Sequence, residues 1–101
     1  MIYQLAVPGP VEDVEEMRVL EWHGEPGSAF AAGDLMVELE TYKAVVEVRA
    51  GQSGVLRAIL CDAGSWQQVA QPLAVLSDAP DEPLPAESAA LAPWPVDFQI
   101  I

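Results

Sequence analysis

The sequence predicts an all-β fold, a small sandwich or barrel built from two similar halves. Three observations carry that expectation. Short runs alternate apolar and polar residues at period two, the pattern of a half-buried strand. Gly24, Gly27, Gly33, Gly51, Gly54 and Gly64 punctuate those runs as turn residues. The chain also repeats itself when shifted so that Gly27-Ser28 falls on Gly64-Ser65.

In chain order, Val19-Leu20-Glu21-Trp22 is the first strand-like run. Just before it, Val11, Val14 and Met17 recur every three residues, a competing helical pattern that Arg18 interrupts. Leu35 to Glu40 is the clearest strand, with Leu35, Val37 and Leu39 on one face and Glu38 and Glu40 on the other. Ala44 to Arg49 follows, Val46 and Val48 opposing Glu47 and Arg49. Val55 to Leu60 and Pro72 to Leu76 complete the set. Under the same shift Leu35-Met36-Val37 meets Pro72-Leu73-Ala74 and Leu39 meets Leu76. Each copy reads strand, glycine turn, small-residue loop, strand. Two such copies imply halves packed about an approximate two-fold axis, since neither could bury its apolar face alone.

The 101 residues divide into a globular stretch over 1–78 and a Pro/Ala/acid-rich linker or tail over 79–101. Pro80, Pro83, Pro85, Pro93 and Pro95 fall in the tail with Asp81, Glu82, Glu87 and Asp97, a composition that favours extended, solvated chain. Its end, Trp94 to Ile101, is too apolar for a spacer, and is expected either to fold back on the domain or to dock on a partner.

Sixteen acids against four cations give a formal charge of −12. Such a surface repels nucleic acid and anionic membrane and favours basic partners. One cysteine, Cys61, excludes an internal disulfide, and one histidine, His23, excludes multi-histidine metal sites. No metal is expected. No apolar run approaches the roughly 18–20 residues of a membrane span, and Met1-Ile2-Tyr3-Gln4 does not begin a signal peptide. A soluble, cytoplasmic protein is the simplest expectation. Cys61 reads as a small core residue, and Trp22 and Trp66 as structural aromatics.

Lys43 is the only lysine among the cations Arg18, Lys43, Arg49 and Arg57. It lies in Thr41-Tyr42-Lys43, the connection between the two most strongly alternating strands, which predicts a hairpin with the lysine at its tip. With no Gly or Asn there, a type I geometry is expected. A hairpin tip gives an amine both exposure and a rigid mount. Glu38 and Glu40 are expected near it, favouring the charged amine and offering an acidic recognition patch. An ordinary solvated turn lysine fits the same residues.

The segment Gly27 to Ala44, with its Gly33-Asp34 pair and Glu40-Thr41-Tyr42-Lys43-Ala44, resembles the lipoyl domain of 2-oxo acid dehydrogenase acyltransferase components, in the biotinyl/lipoyl attachment family. Ser53-Gly54-Val55-Leu56 and Gly64-Ser65 through Gln71-Pro72-Leu73-Ala74 are similar to its second half. Tyr42 stands where the family usually has Asp, and Ala70 where it usually has Gly.

The resemblance implies a flattened barrel of two antiparallel sheets, with lipoic acid in amide linkage to Lys43 and no catalysis by the domain itself. It implies recognition through Glu38, Glu40, Thr41, Tyr42 and Ala44, and through the neighbouring loop of Glu12, Asp13, Glu15 and Glu16. The implied partners are a lipoate ligase or lipoyl transferase and the decarboxylase, acyltransferase and dihydrolipoyl dehydrogenase components of a complex. A biotin carrier is the first alternative, although Tyr42 and Ala44 replace the methionines that flank a biotinylated lysine. An unmodified interaction module of the same fold is the second.

Overall fold

A computed structural model describes residues 1–84 and 91–101. Ten strands form two five-stranded sheets packed face to face. In chain order they are β1 (Ile2–Ala6), β2 (Glu16–Trp22), β3 (Ala29–Phe30), β4 (Leu35–Glu40), β5 (Val45–Ala50), β6 (Gly54–Ile59), β7 (Trp66–Gln68), β8 (Pro72–Ser77), β9 (Ala92–Pro93) and β10 (Val96–Ile100). One sheet runs β3-β6-β8-β1-β9 and the other β10-β5-β4-β2-β7. Every pairing is antiparallel except β1 with β9, which is parallel. The helical pattern of Val11, Val14 and Met17 is not realised. Val11 and Val14 form an isolated bridge, and Met17 is a buried residue of β2.

Period-two burial makes the sandwich. Leu5, Met17, Val19, Leu39, Val46, Val48, Leu56, Leu73 and Leu76 are fully buried between the sheets. Each such side chain contributes about 1.5–3 kcal/mol relative to exposure. The β4–β5 register shifts between Leu35 and Val37, so Met36 and Val37 are both buried and the strict alternation expected for β4 breaks at its start.

The repeat appears as exchanged hydrogen bonds between the halves. Gly27 N–H donates to Leu56 O at 2.8 Å, and Gly64 N–H donates to Val19 O at 2.7 Å. Leu56 N–H donates to Ser28 O, and Val19 N–H to Ser65 O, both at 2.9 Å. Each glycine turn therefore clasps a strand of the other half. Gly27 (φ 101°) and Gly64 (φ 93°) occupy the left-handed region that the turn requires. The same correspondence pairs Gly33 (φ 93°) with Ala70 (φ 73°), so an alanine holds a backbone conformation that glycine adopts at lower cost.

The stretch after residue 78 is partly ordered, and its apolar end takes the first of the two courses expected for it, folding back on the domain. Ala92–Pro93 and Val96–Ile100 are strands, one in each sheet, and Trp94 between them is only 4% exposed. Trp94 N–H donates to Gln4 O, and its ring meets Tyr3 edge-on with centroids 5.2 Å apart. Gly51 N–H donates to Pro95 O at 2.9 Å. The apolar end thus docks on its own domain, because burying Trp94 outweighs the extended preference of the prolines beside it. The start of the expected linker is tied down too. The Arg57 guanidinium donates to Ser77 Oγ at 3.1 Å and to Glu82 O at 2.7 Å. Residues 85–90 of the expected linker, Pro85 and Glu87 among them, lie outside the described residues. No helix among the described residues is long and apolar enough to cross a membrane.

Candidate functional site

Strands β4 and β5 pair down to Glu40–Val45, leaving Thr41-Tyr42-Lys43-Ala44 as the turn. Thr41 N–H donates to Ala44 O at 2.8 Å, closing it. The Thr41 hydroxyl completes the turn. Its Oγ1 accepts from Lys43 N–H at 3.1 Å and from Ala44 N–H at 3.0 Å, and donates to Ala44 O at 3.3 Å. A short hydroxyl side chain thereby satisfies the backbone donors that a tight turn leaves open. Thr41 is 6% exposed, and its side chain is taken up in building the turn.

Tyr42 and Lys43 project from this mount. Tyr42 is 69% exposed and the Lys43 side chain 56%. The hairpin is braced on both flanks, since β4 also pairs with β2 and β5 with β10. Ile101 N–H donates to Val45 O at 2.8 Å, which extends that bracing to the residue after Ala44.

The carboxylate facing the amine is not the one expected. Lys43 Nζ lies 3.8 Å from Asp13 Oδ2 and 5.1 Å from the centroid of the Tyr42 ring. Glu40 instead faces Arg18, Oε1 to Nη1 being 3.6 Å, because those two residues are cross-strand partners. Glu38 lies 2.6 Å from His23 Nε2. The donor atoms of Glu21, His23 and Glu38 all come within 4.8 Å of one another, a cluster of metal-type donors among the described residues.

Glu12, Asp13, Glu15 and Glu16 are exposed. Asp13, Glu15 and Glu16, with Val14, line an open groove whose other walls are Tyr42 and Trp66. Asp13 adopts φ 62°, in the left-handed region that few L-residues occupy. Trp66 departs from expectation. It is 49% exposed, because its register against Arg18 puts it on the outer face of an edge strand. Trp22 is half-buried and its indole N–H donates to Cys61 O at 2.9 Å, a structural role. Cys61 is buried, and desolvation, followed by the nearby Asp62 charge, pushes its thiol up from the usual range. No local pattern signals that Trp66 and Tyr42 line one groove, because they come from different halves of the repeat.

The chain's one lysine thus stands exposed on a stapled turn braced on both sides. The biotin/lipoyl family profile, described as "Biotin-requiring enzyme", matches residues 3–76. The chain belongs to this biotin/lipoyl family. It is 34% identical over 87 residues, 83% of its length, to the dihydrolipoyllysine-residue succinyltransferase component of the 2-oxoglutarate dehydrogenase complex of Bacillus subtilis. It is 33% identical over 78 residues, 76% of its length, to the mitochondrial pyruvate dehydrogenase complex protein X component of Saccharomyces cerevisiae. The chain spans only 21% and 19% of those two relatives. Its fold matches the solution structure of the lipoyl domain of the 2-oxoglutarate dehydrogenase complex from Azotobacter vinelandii, with a TM-score of 0.64 and 31% identity. That match covers 74% of this chain and 95% of that one. Strands β9 and β10 lie beyond the span that the family profile matches.

Proposed function

We propose that this domain is a lipoyl carrier, with lipoic acid joined to Lys43 Nζ through an amide bond, serving a 2-oxo acid dehydrogenase-type complex. The observation that carries this reading is the exposed Lys43 amine held on a turn fixed by Thr41 and braced by β2 and β10. The residues fit the group. The turn offers one primary amine, the Thr41, Lys43 and Ala44 amides are bonded within the turn, and the Lys43 side chain is 56% exposed. When bound, the dithiolane supplies acyl-carrying and redox chemistry.

The chain's own part is to present and position. Thr41 holds the turn so that Lys43 reaches a modifying enzyme in one geometry. The surrounding carboxylates and Tyr42 give partners a surface to read. On this reading the domain acts as a carrier and leaves catalysis to its partners. Its proposed partners are the decarboxylase, acyltransferase and dihydrolipoyl dehydrogenase components of such a complex, with a lipoate ligase or lipoyl transferase loading the domain; similarity to components of 2-oxoglutarate and pyruvate dehydrogenase complexes supports a place in one. A cytoplasmic location fits that assignment.

Coexpression with a lipoate ligase and intact-mass measurement tests it. A single lipoyl adduct that disappears in Lys43→Arg is expected. No adduct, or one that persists in that variant, overturns the reading. Streptavidin blotting after coexpression with a biotin ligase distinguishes the biotin carrier. A domain left bare by both ligases is the unmodified interaction module.

A further inference from the structure

The groove beside Lys43 combines the carboxylates of Asp13, Glu15 and Glu16 with the rings of Tyr42 and Trp66. Both rings are about half exposed or more, at 69% and 49%. Carboxylates next to open aromatic faces select a cation, since negative charge and ring quadrupole attract it together. A cation already uses part of this environment: the Lys43 ammonium stands over the Tyr42 ring and near Asp13 Oδ2. The free amine therefore competes with any outside cation for the same two groups.

We propose that acylation of Lys43 opens this groove, and that the opened groove takes an arginine side chain from a surface loop of a partner protein. The proposal rests on reading Lys43 as the modified residue. Forming the amide removes the positive charge at Nζ and both of its attractions. The carboxylates stay, so the groove becomes one unit more negative and the Tyr42 face is released. Arginine fits better than lysine, because a planar guanidinium stacks on aromatic rings and meets carboxylates at two points. The net charge of −12 draws a basic partner in and repels a second copy of this chain. The groove then reports the state of residue 43, and a partner that uses it engages the loaded domain in preference to the bare one.

The probe is the peptide acetyl-Gly-Arg-Gly-amide, with its citrulline counterpart as the neutral control. Each is titrated into the full chain in unmodified, lipoylated and Lys43→Gln forms, following the Trp66 indole resonance by NMR. Lipoylated and Lys43→Gln chains should bind the arginine peptide about three- to tenfold more tightly than the unmodified chain, with the gain falling as salt rises. Tyr42→Leu, at an exposed position, should lower affinity in every form and shrink the gain on neutralising residue 43 to the part that Asp13 supplies. Equal affinity of the unmodified and Lys43→Gln chains, or an equal response to the citrulline peptide, overturns the proposal. These results separate from a failure of the carrier reading. Absence of a lipoyl adduct with a positive Lys43→Gln result sinks only the cofactor. A full adduct with no change in affinity sinks only the gate.

Discussion

The ring of Trp94 rests directly on the backbone of Gly54. A Cβ built on Gly54 would fall 2.9 Å from Trp94 Cζ3 and 2.9 Å from the Ser77 carbonyl oxygen, with Trp94 Cη2 nearer still. Glycine is required here because a segment more than thirty residues downstream packs against its main chain. Gly51 answers the same constraint, its absent side chain leaving room for Pro95 O. Gly54→Ala should therefore cost about 1–3 kcal/mol through overpacking. The cost should appear as release of the tail. Hydrogen exchange at the Trp94 and Ile101 amides is expected to rise toward that of unstructured chain while the β4 amides stay protected. Unchanged protection at Trp94 would show that the ring has another seat.

Ala70 offers the opposite change. Its φ of 73° strains an L-residue by roughly 1–2 kcal/mol, while glycine costs roughly 0.4–1 kcal/mol in unfolded-chain entropy. Ala70→Gly should raise stability by about 0.5–1 kcal/mol, or several degrees in Tm for a domain of this size. A lower melting temperature would contradict this.

Thr41→Val keeps the shape of the side chain and removes its hydroxyl. The amides of Lys43 and Ala44 then lose the Oγ1 acceptor. A loss of about 1–2 kcal/mol is expected, with faster amide exchange confined to the turn. Thr41→Ser should restore most of it. If Val and Ser behave alike, the hydroxyl is not the staple.

The N-terminal ammonium bonds to Glu82 and lies 3.1 Å from Asp78 Oδ2. The ammonium, and then the Ala79 N–H, hold the Glu82 carboxyl below its ordinary value of 4.5. Glu82 first, and Asp78 next, hold the amine above its ordinary value of 8.0. The signs give a plateau. The contribution from Glu82 is complete above about pH 4.5 and is lost as pH falls through its lowered pKa. That from the amine is complete below about pH 8 and is lost as pH rises through its raised pKa. In NMR titrations the Ala79 amide should report an acid midpoint below 4.5. Glu82→Gln should abolish that inflection. A midpoint at the ordinary value would show that the clasp does not form.

The parts of the fold legible in the sequence were those written at short range. Strands β4 and β5 declared themselves by alternation, and the repeat by Gly27-Ser28 and Gly64-Ser65. The hairpin and its lysine followed from them. Strands β3 and β7 are two and three residues long, too short for any period to show. Strand β10 does alternate, with Val96, Phe98 and Ile100 on the face shared with Ala50, Val48 and Val46. Its setting among prolines and acids concealed it. The partners of Glu38 and Glu40, and the meeting of Tyr42 with Trp66, depend on register across strands, which no local pattern carries.

Covering of β5 by β10 bears on the mechanics of the arm proposed for Lys43. A hairpin at a sheet margin would sway, and its cargo would wander with it. Here the pivot sits on a ribbon flanked by neighbours on both sides, so its own excursions are small. The volume swept by a group on Lys43 is then fixed by the length and torsions of the tether, measured from a stationary origin.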